Sequence, residues 1–153
     1  MPAPATRDYF AEMYVAGLMA DADWNIYFPR RDKGFDFIAT FDDDDGTLVR
    51  PVQVKGFYPT SDKTDKSVYG YGGRLTQLHD DMILALVYFP LGNLTGTPAQ
   101  VAYMPRSQIR DRSRGGYRCV PCSIVDSTVV QRRDSARFFG PDGLRAVRSR
   151  AWG

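Results

Sequence analysis

Two short stretches decide the fold of this chain: GFDFI at residues 34–38 and VQVKG at residues 52–56. In both, β-branched or aromatic residues alternate with other residues at a period of two, which predicts β-strands. The alternation also places Phe35 and Phe37 on one face of the sheet and Asp36 on the other. Residues 42–46, DDDDG, predict a polar turn whose glycine adopts a positive φ. Together these signals predict an antiparallel hairpin.

The register of this hairpin follows from the turn. Pairing Phe41 with Leu48 also pairs Asp36 with Gln53, because the two pairs of residue numbers have the same sum. Lys55 lies two residues beyond Gln53 and shares its face. An acid, an amide and an ammonium on one patch can hold a divalent cation beside a fixed positive charge, so we interpret the patch as an active site. Alternatively, Asp36 and Lys55 form a cross-strand ion pair worth less than about 1 kcal/mol.

The length and composition are those of an ordinary globular protein. The 153 residues are 43% hydrophobic and 25% charged, enough to bury a core, so we expect one domain over residues 1–153. No apolar run approaches the ~20 residues of a membrane span, and residues 1–7 lack a signal-peptide pattern. We therefore expect a cytoplasmic protein with no membrane partner.

The cysteines, Cys119 and Cys122, form a single CVPC motif. One such pair supplies at most half of a zinc site, and the only histidine of the sequence, His79, is distant along the chain. We expect a structural role for both thiols.

The net charge of +2 conceals an asymmetry between the two parts of the chain. Residues 1–100 carry 9 Lys/Arg against 14 Asp/Glu, whereas residues 101–153 carry 11, all arginine, against 4. Because a guanidinium donates two hydrogen bonds to one phosphate, the basic part favours a polyanionic partner. The alternative is a solvated surface balanced by the acidic part.

An apolar helix is predicted near the N-terminus, over residues 6–20. Glu12 is the sole charged residue between Asp8 and Asp21. Since a buried carboxylate without a partner costs several kcal/mol, we interpret Glu12 as a functional acid. The alternative is a position at a solvated edge of the helix.

The pattern beyond the hairpin indicates further elements. Residues 58–73 predict a polar, glycine-rich loop, and residues 74–81 a short helix. Residues 82–89 predict a buried central strand, and residues 99–104 another strand. Pro51 lies inside the strand of the VQVKG stretch and suggests a sheet edge or a bulge, because proline lacks the N–H donor.

The order of these elements resembles the PD-(D/E)xK nuclease superfamily, in the branches with glutamine at the acid position of the third strand. Such branches include Mrr-like restriction enzymes, intron-associated endonucleases and archaeal-resolvase-like domains. The residues that carry the resemblance are Glu12, GFD at 34–36, QVKG at 53–56 and LALV at 84–87. It covers about residues 7–90 and implies an α/β fold: a restriction-endonuclease-like core of order αβββαβ, with a mixed central sheet flanked by helices and a C-terminal extension.

The resemblance implies a metal-dependent endonuclease that hydrolyses DNA. Asp36 would be the central Mg²⁺ ligand, and Mn²⁺ is an alternative ion. The Gln53 side-chain carbonyl, the Val54 backbone carbonyl and Glu12 would complete the shell. Lys55 would position the attacking water or stabilise the developing charge. Because glutamine brings no charge, the alternative is a nuclease fold that binds nucleic acid, or serves as an adaptor, without cleaving.

Basic residues in the loops around the hairpin are expected to contact DNA, whether duplex or branched. These residues are Arg30, Arg31, Lys33, Lys63, Lys66 and Arg74. Cutting both strands of a duplex calls for two active sites, so we expect a homodimer.

Overall fold

The computed structural model describes residues 4–31, 34–58, 65–90 and 98–153, and the side chains from residue 9 onward within these ranges. The helices found there are α1 (Pro4–Asp21), α2 (Gly140–Ala146) and two 3₁₀ helices, Arg106–Gln108 and Ala136–Phe138. The strands are β1 (Asn25–Tyr27), β2 (Phe37–Asp43), β3 (Gly46–Phe57), β4 (Lys66–Gly73), β5 (Ile83–Tyr88), β6 (Gln100–Pro105), β7 (Arg110–Asp111), β8 (Tyr117–Val125) and β9 (Thr128–Gln131).

The strands form two sheets. The first has the order β1-β2-β3-β5-β6, and the second has the order β4-β8-β7, with β9 paired to β8. Within the first sheet β3 and β5 are parallel, and the other neighbours are antiparallel. The expected α/β class and mixed sheet are therefore confirmed. No helix in the described part of the chain is long and apolar enough to cross a membrane.

The β2–β3 hairpin has the predicted register, with Phe41 opposite Leu48. The turn is tighter than DDDDG suggests, because Asp43 already pairs with Gly46, whose φ is +119°. Pairing ends where Phe37 faces Val52. The prediction that Phe35 shares a face with Phe37 is wrong: the two rings belong to different core clusters, because regular alternation starts only at Phe37.

The two faces of the first sheet have different covers. On one face α1 and the C-terminal segment pack against the sheet, and the second sheet covers the other. The core on the α1 side includes Val15, Met19, Phe37, Val52, Val54, Ile83 and Val147. The core between the sheets includes Tyr69, Leu84, Leu86, Tyr88, Met104, Cys119, Cys122 and Ile124.

The connection from β3 to β5 differs from the expectation. Residues 74–81 are irregular, so the short helix expected there is wrong, and part of the expected loop at residues 58–73 is the strand β4. β4 is stabilised by pairing with β8, which opposes Tyr69 to Cys122. Because that partner lies far away in sequence, no local pattern reveals it.

Pro51 lies in the central strand β3 and is buried, so the expected edge or bulge is also wrong. Its ring nitrogen lies on the β5 side of β3, but pairing with β5 begins only where Val52 faces Ile83. The missing N–H therefore removes no bond from the sheet.

Candidate active site

Asp36 immediately precedes β2. β2 pairs with β3 only as far as Val52, and we call the side of β3 beyond that residue its open edge. The Asp36 N–H donates to the Val52 carbonyl at 2.8 Å. Its Oδ2 accepts hydrogen bonds from the Val54 N–H at 2.6 Å and from Gln53 Nε2 at 3.3 Å. The carboxylate thus occupies the place that a further β2 residue would take. Asp36 and Gln53 are in contact, but through a side-chain hydrogen bond and not as the strand pair that was predicted, because pairing ends at Phe37 and Val52.

The Val54 carbonyl points toward the same place. In a strand, the N–H and C=O groups of one residue lie on the same side, so the side that bonds Asp36 also carries this carbonyl oxygen. β2 provides no partner there, because its pairing ends at Phe37 and Val52. A carboxylate and a backbone carbonyl therefore point into one gap at the end of β2.

Gly34 allows the chain to reach Asp36. Its φ is +97°, a value that strains any residue other than glycine. A Cβ at this position would lie 2.9 Å from the Cβ of Gln77 and 3.2 Å from the Cβ of Thr76. The position of Asp36 thus depends on the segment that leads from the second sheet into β5.

Lys55 projects from the face of β3 that carries Gln53. Its Nζ lies 5.1 Å from the centroid of the Tyr71 ring on β4, a cation–π contact. The Tyr71 hydroxyl donates to the carbonyl of Arg74. Burial raises the pKa of the Tyr71 phenol, and the nearby Arg112 guanidinium partly offsets that rise. A neutral ring from the second sheet therefore orients the ammonium.

Glu12 lies on the helix that covers the opposite face. A Cβ added to Gly56 would lie 3.0 Å from the Cβ of Ala11, so α1 packs on the face of Val54 and Gly56. Glu12 is half-buried and follows Ala11 on the sheet-facing side of α1. Its convergence with Asp36, which lies at the strand edge between the two faces, stays a prediction.

The basic residues expected to contact DNA are dispersed. Arg30 and Arg31 are exposed at the end of a described range, and Arg74 is exposed beside Tyr71. Lys66 is also exposed, with its Nζ 5.7 Å from the Tyr69 ring. Lys33 and Lys63 lie outside the described residues.

Sequence reasoning missed Tyr71, which contacts Lys55, and Arg112, whose charge acts on Tyr71. Tyr71 was expected in a loop, and Arg112 had no assigned place among the C-terminal arginines. The available signal was the alternation of tyrosine and glycine at residues 69–72, which fits a strand. The pairing of that strand with β8 places the Tyr71 ring against Lys55 and Arg112 beside Gly72, on the outer side of β4.

The candidate donor set consists of oxygen atoms. In the described ranges no group of three or more His, Cys, Asp or Glu side chains could hold a metal ion. Asp36, the Gln53 amide and the Val54 carbonyl offer one charged and two neutral oxygens. Such a set fits Mg²⁺, which binds few carboxylates and keeps several waters. The amide must turn over, because Nε2 of Gln53 now faces Asp36.

The two cysteines are buried between the sheets. Burial raises the pKa of Cys119 to about 12 and that of Cys122 to about 11. The Cys122 thiol donates to the Tyr69 carbonyl at 3.2 Å. Both groups therefore stay protonated at neutral pH, which agrees with the structural role expected.

Comparison of the chain with protein families, with curated proteins and with solved structures finds no match. What can be inferred about function therefore depends on the geometry of the site and on the resemblance of its motifs.

Proposed function

We propose that this chain is a metal-dependent endonuclease of restriction-endonuclease-like fold that hydrolyses phosphodiester bonds in DNA. The observation that carries the proposal is the meeting of Asp36, the Val54 N–H and the Gln53 amide at the open edge of β3. Lys55, the next residue along β3, adds a half-buried ammonium held against Tyr71. This combination of a carboxylate, neutral oxygen donors and a fixed cation suits phosphoryl chemistry.

A divalent ion, Mg²⁺ or Mn²⁺, would be held by Asp36, by Gln53 Oε1 after the amide has turned, and by the Val54 carbonyl. When bound, such an ion supplies a Lewis acid that lowers the pKa of bound water and offsets charge on phosphate oxygens. Glu12 would complete this shell from the α1 side.

The chain's own residues would bind and orient the substrate. Lys55 would donate to a phosphate oxygen or to the attacking water, and its ammonium would stabilise negative charge that develops in the transition state. Arg30, Arg31, Lys66 and Arg74 would hold the flanking phosphates. Two copies of the chain would be needed to cut both strands of a duplex.

A second candidate function is a nucleic-acid-binding or adaptor module that does not cleave. The observation that favours it is the orientation of Gln53, whose Nε2 donates to the carboxylate on which an ion would depend. In that case the Asp36 hydrogen bonds to Val54 and Gln53 only close the open edge of β3.

The test is a cleavage assay on plasmid, linear and four-way-junction DNA in Mg²⁺, in Mn²⁺ and in EDTA. The proposal predicts cleavage that depends on the ion and is lost in Asp36→Asn, with partial rescue by raised Mn²⁺. Asp44→Asn, which removes an exposed carboxylate at the hairpin turn, is the matched control and should cleave normally. Absence of cleavage on every substrate, with DNA binding retained, would instead support the binding module.

Gln53→Glu separates the two candidates further. It should keep or raise activity and ion affinity if Gln53 is a ligand, because a carboxylate binds Mg²⁺ more strongly than an amide. If Gln53 only closes the strand edge, the new carboxylate faces Asp36 without an ion. The variant should then lose stability without a gain in ion affinity, as measured by urea unfolding with and without Mg²⁺.

A further inference from the structure

We infer that four arginines on the β7–β8 hairpin bind the phosphate backbone of DNA and lead it toward Lys55, an inference that rests on the proposed function. This arginine hairpin consists of Arg110, Arg112, Arg114 and Arg118, and all four side chains are exposed. None of them forms an ion pair with a carboxylate of the described residues.

The pairing of the hairpin leaves like charges together. Arg110 lies directly opposite Arg118 in the antiparallel β7–β8 pair, so both side chains project from the same face. Like charges at opposed positions repel and destabilise a sheet. A phosphate bound between the two guanidinium groups would remove that repulsion, because each group donates two parallel hydrogen bonds.

The turn of the hairpin is held in a defined position. The Arg112 N–H donates to the Gly116 carbonyl at 3.0 Å, and Gly115 and Gly116 have φ values of +86° and +77°. A Cβ added to Gly116 would lie 2.6 Å from the Gly73 carbonyl oxygen, so the turn packs against the end of β4. The arginines therefore project from a packed support.

The arginine hairpin lies on the outer side of β4, the strand whose inner side carries Tyr71. Gly72 pairs with the exposed Arg118, and Nη1 of Arg112 lies 3.6 Å from a Cβ placed on Gly72. The Arg112 charge nevertheless acts on the Tyr71 phenol, whose pKa it lowers against the effect of burial. On the inner side of β4, the centroid of the Tyr71 ring lies 5.1 Å from Lys55 Nζ. A phosphate chain bound on the outer side of the hairpin would reach Lys55 by passing around the end of β4, where the hairpin turn packs against Gly73.

Other C-terminal arginines provide the contrast. Arg145 pairs with Asp142 at 2.8 Å, Arg132 lies 4.0 Å from Asp134, and the Arg137 guanidinium lies 4.5 Å from the Phe138 ring. These three and the exposed Arg133 are in the segment around α2, which packs against β6 rather than near Lys55. They form a control set of equal size and charge.

The experiment measures binding of the full chain to a short duplex DNA by fluorescence anisotropy, in EDTA and across ~50–200 mM salt. Two quadruple variants are compared with the wild type: Arg110, Arg112, Arg114 and Arg118 changed to Gln, and Arg132, Arg133, Arg137 and Arg145 changed to Gln. Each lost phosphate contact should reduce the log–log salt slope by about 0.9, so the hairpin variant should lose about 3.6. The control variant should keep the wild-type slope.

Three outcomes would overturn the inference. The first is an equal loss of salt slope in both variants, and the second is no binding of DNA by the wild type. The third appears when the titration is repeated with duplex RNA: the hairpin variant binds RNA more weakly than the wild type does but binds DNA equally well. Circular dichroism of both variants excludes unfolding as the cause. Because EDTA suppresses cleavage, the result is independent of catalysis. Specific loss of binding in the hairpin variant, together with no cleavage by the wild type in Mg²⁺, would support the inference and refute the proposed nuclease.

Discussion

Strand β3 carries two cations, Arg50 and Lys55, and the protein surrounds them differently. Arg50 projects to the α1 face and is only 2% exposed. Its guanidinium donates to the carbonyls of Val147, Asp81 and Ser149 at 3.2, 3.3 and 2.7 Å. Burial lowers the pKa of Arg50, and Asp81 opposes that shift. These contacts attach the C-terminal segment to the sheet.

Lys55 projects to the opposite face, five residues later. It is half-buried, its Nζ lies over the Tyr71 ring, and no carbonyl of the described residues accepts a hydrogen bond from it. Burial alone therefore does not indicate a functional cation. Arg50 stabilises the fold because carbonyl oxygens accept hydrogen bonds from its guanidinium. Lys55 is held by a ring, so its N–H donors stay available for a ligand.

The largest expected effect is on catalysis by Lys55→Ala. The cleavage rate should fall by about 10²–10³, because one preorganised charge is lost from the transition state. DNA binding in EDTA should remain nearly intact, and the free energy of unfolding should change by less than about 1 kcal/mol. Single-turnover rates in Mg²⁺ and urea unfolding measure the two effects. A large loss of stability with unchanged cleavage would show that Lys55 stabilises the fold, as Arg50 does, and has no catalytic role.

Arg50→Met should show the reverse pattern. Loss of the guanidinium leaves buried carbonyl oxygens unpaired, and we expect the free energy of unfolding to fall by about 3 kcal/mol. For a chain of this length, that change lowers Tm by roughly 6–12 °C. Cleavage per folded molecule, measured well below Tm, should stay within a few-fold of the wild type. Arg133→Met, at an exposed position, is the control and should leave Tm unchanged.

Gly34→Ala tests how Asp36 is held at the end of β3. The positive φ and the close approach to Gln77 should together cost about 1–3 kcal/mol of unfolding free energy. Cleavage should also fall, since the chain must shift near Asp36. Gly17→Ala is the matched control, because nothing lies within 4 Å of an added Cβ there. It should stabilise α1 by about 0.5–1 kcal/mol. Equal stability of the two variants would refute the role of Gly34.

The smallest effect on stability is expected for Arg150→Gln, which removes a contact between the C-terminal segment and the β2–β3 turn. Arg150 donates to Asp43 at 2.6 Å, and this bond lowers the pKa of the carboxyl. Because the folded pKa lies below the unfolded value of 3.8, the stabilisation is present above that pH and is lost as the pH falls through the folded pKa. Thermal unfolding should therefore show a small deficit of the variant at pH 6 that disappears in acid. A deficit that persists in acid would show that Arg150 acts by packing instead.

Local signals were enough to predict the hairpin and its register. The turn DDDDG and the alternation on either side of it bring Phe41 to Leu48, and Asp36 meets Gln53 as a consequence. Local signals also predicted the positions of α1 and of the buried strand β5, because each is a stretch of consecutive apolar residues. They did not predict which side of α1 is buried, since Phe10, Met13 and Leu18 are exposed.

Long-range pairing produced the differences from the prediction. The cover of the second face is a sheet rather than a helix, because β4 pairs with β8 about 50 residues later. The pattern of residues 74–81 suits a helix by itself, but the chain there connects two sheets. Pro51 is tolerated in a central strand only because β5 begins one residue later, which no local pattern discloses.

Local sequence was enough to bring Asp36, Gln53 and Lys55 together in one hairpin, because turn chemistry and strand periodicity act over short distances. The side chains that surround these three residues depend on the folding of the whole chain. Tyr71 reaches Lys55 because β4 pairs with β8, a strand far away in the sequence. α1 carries Glu12 to the other face of β3 because its apolar side packs against Val54 and Gly56. Such neighbours depend on packing between segments that are distant in the sequence, so the residue pattern of one segment does not predict them.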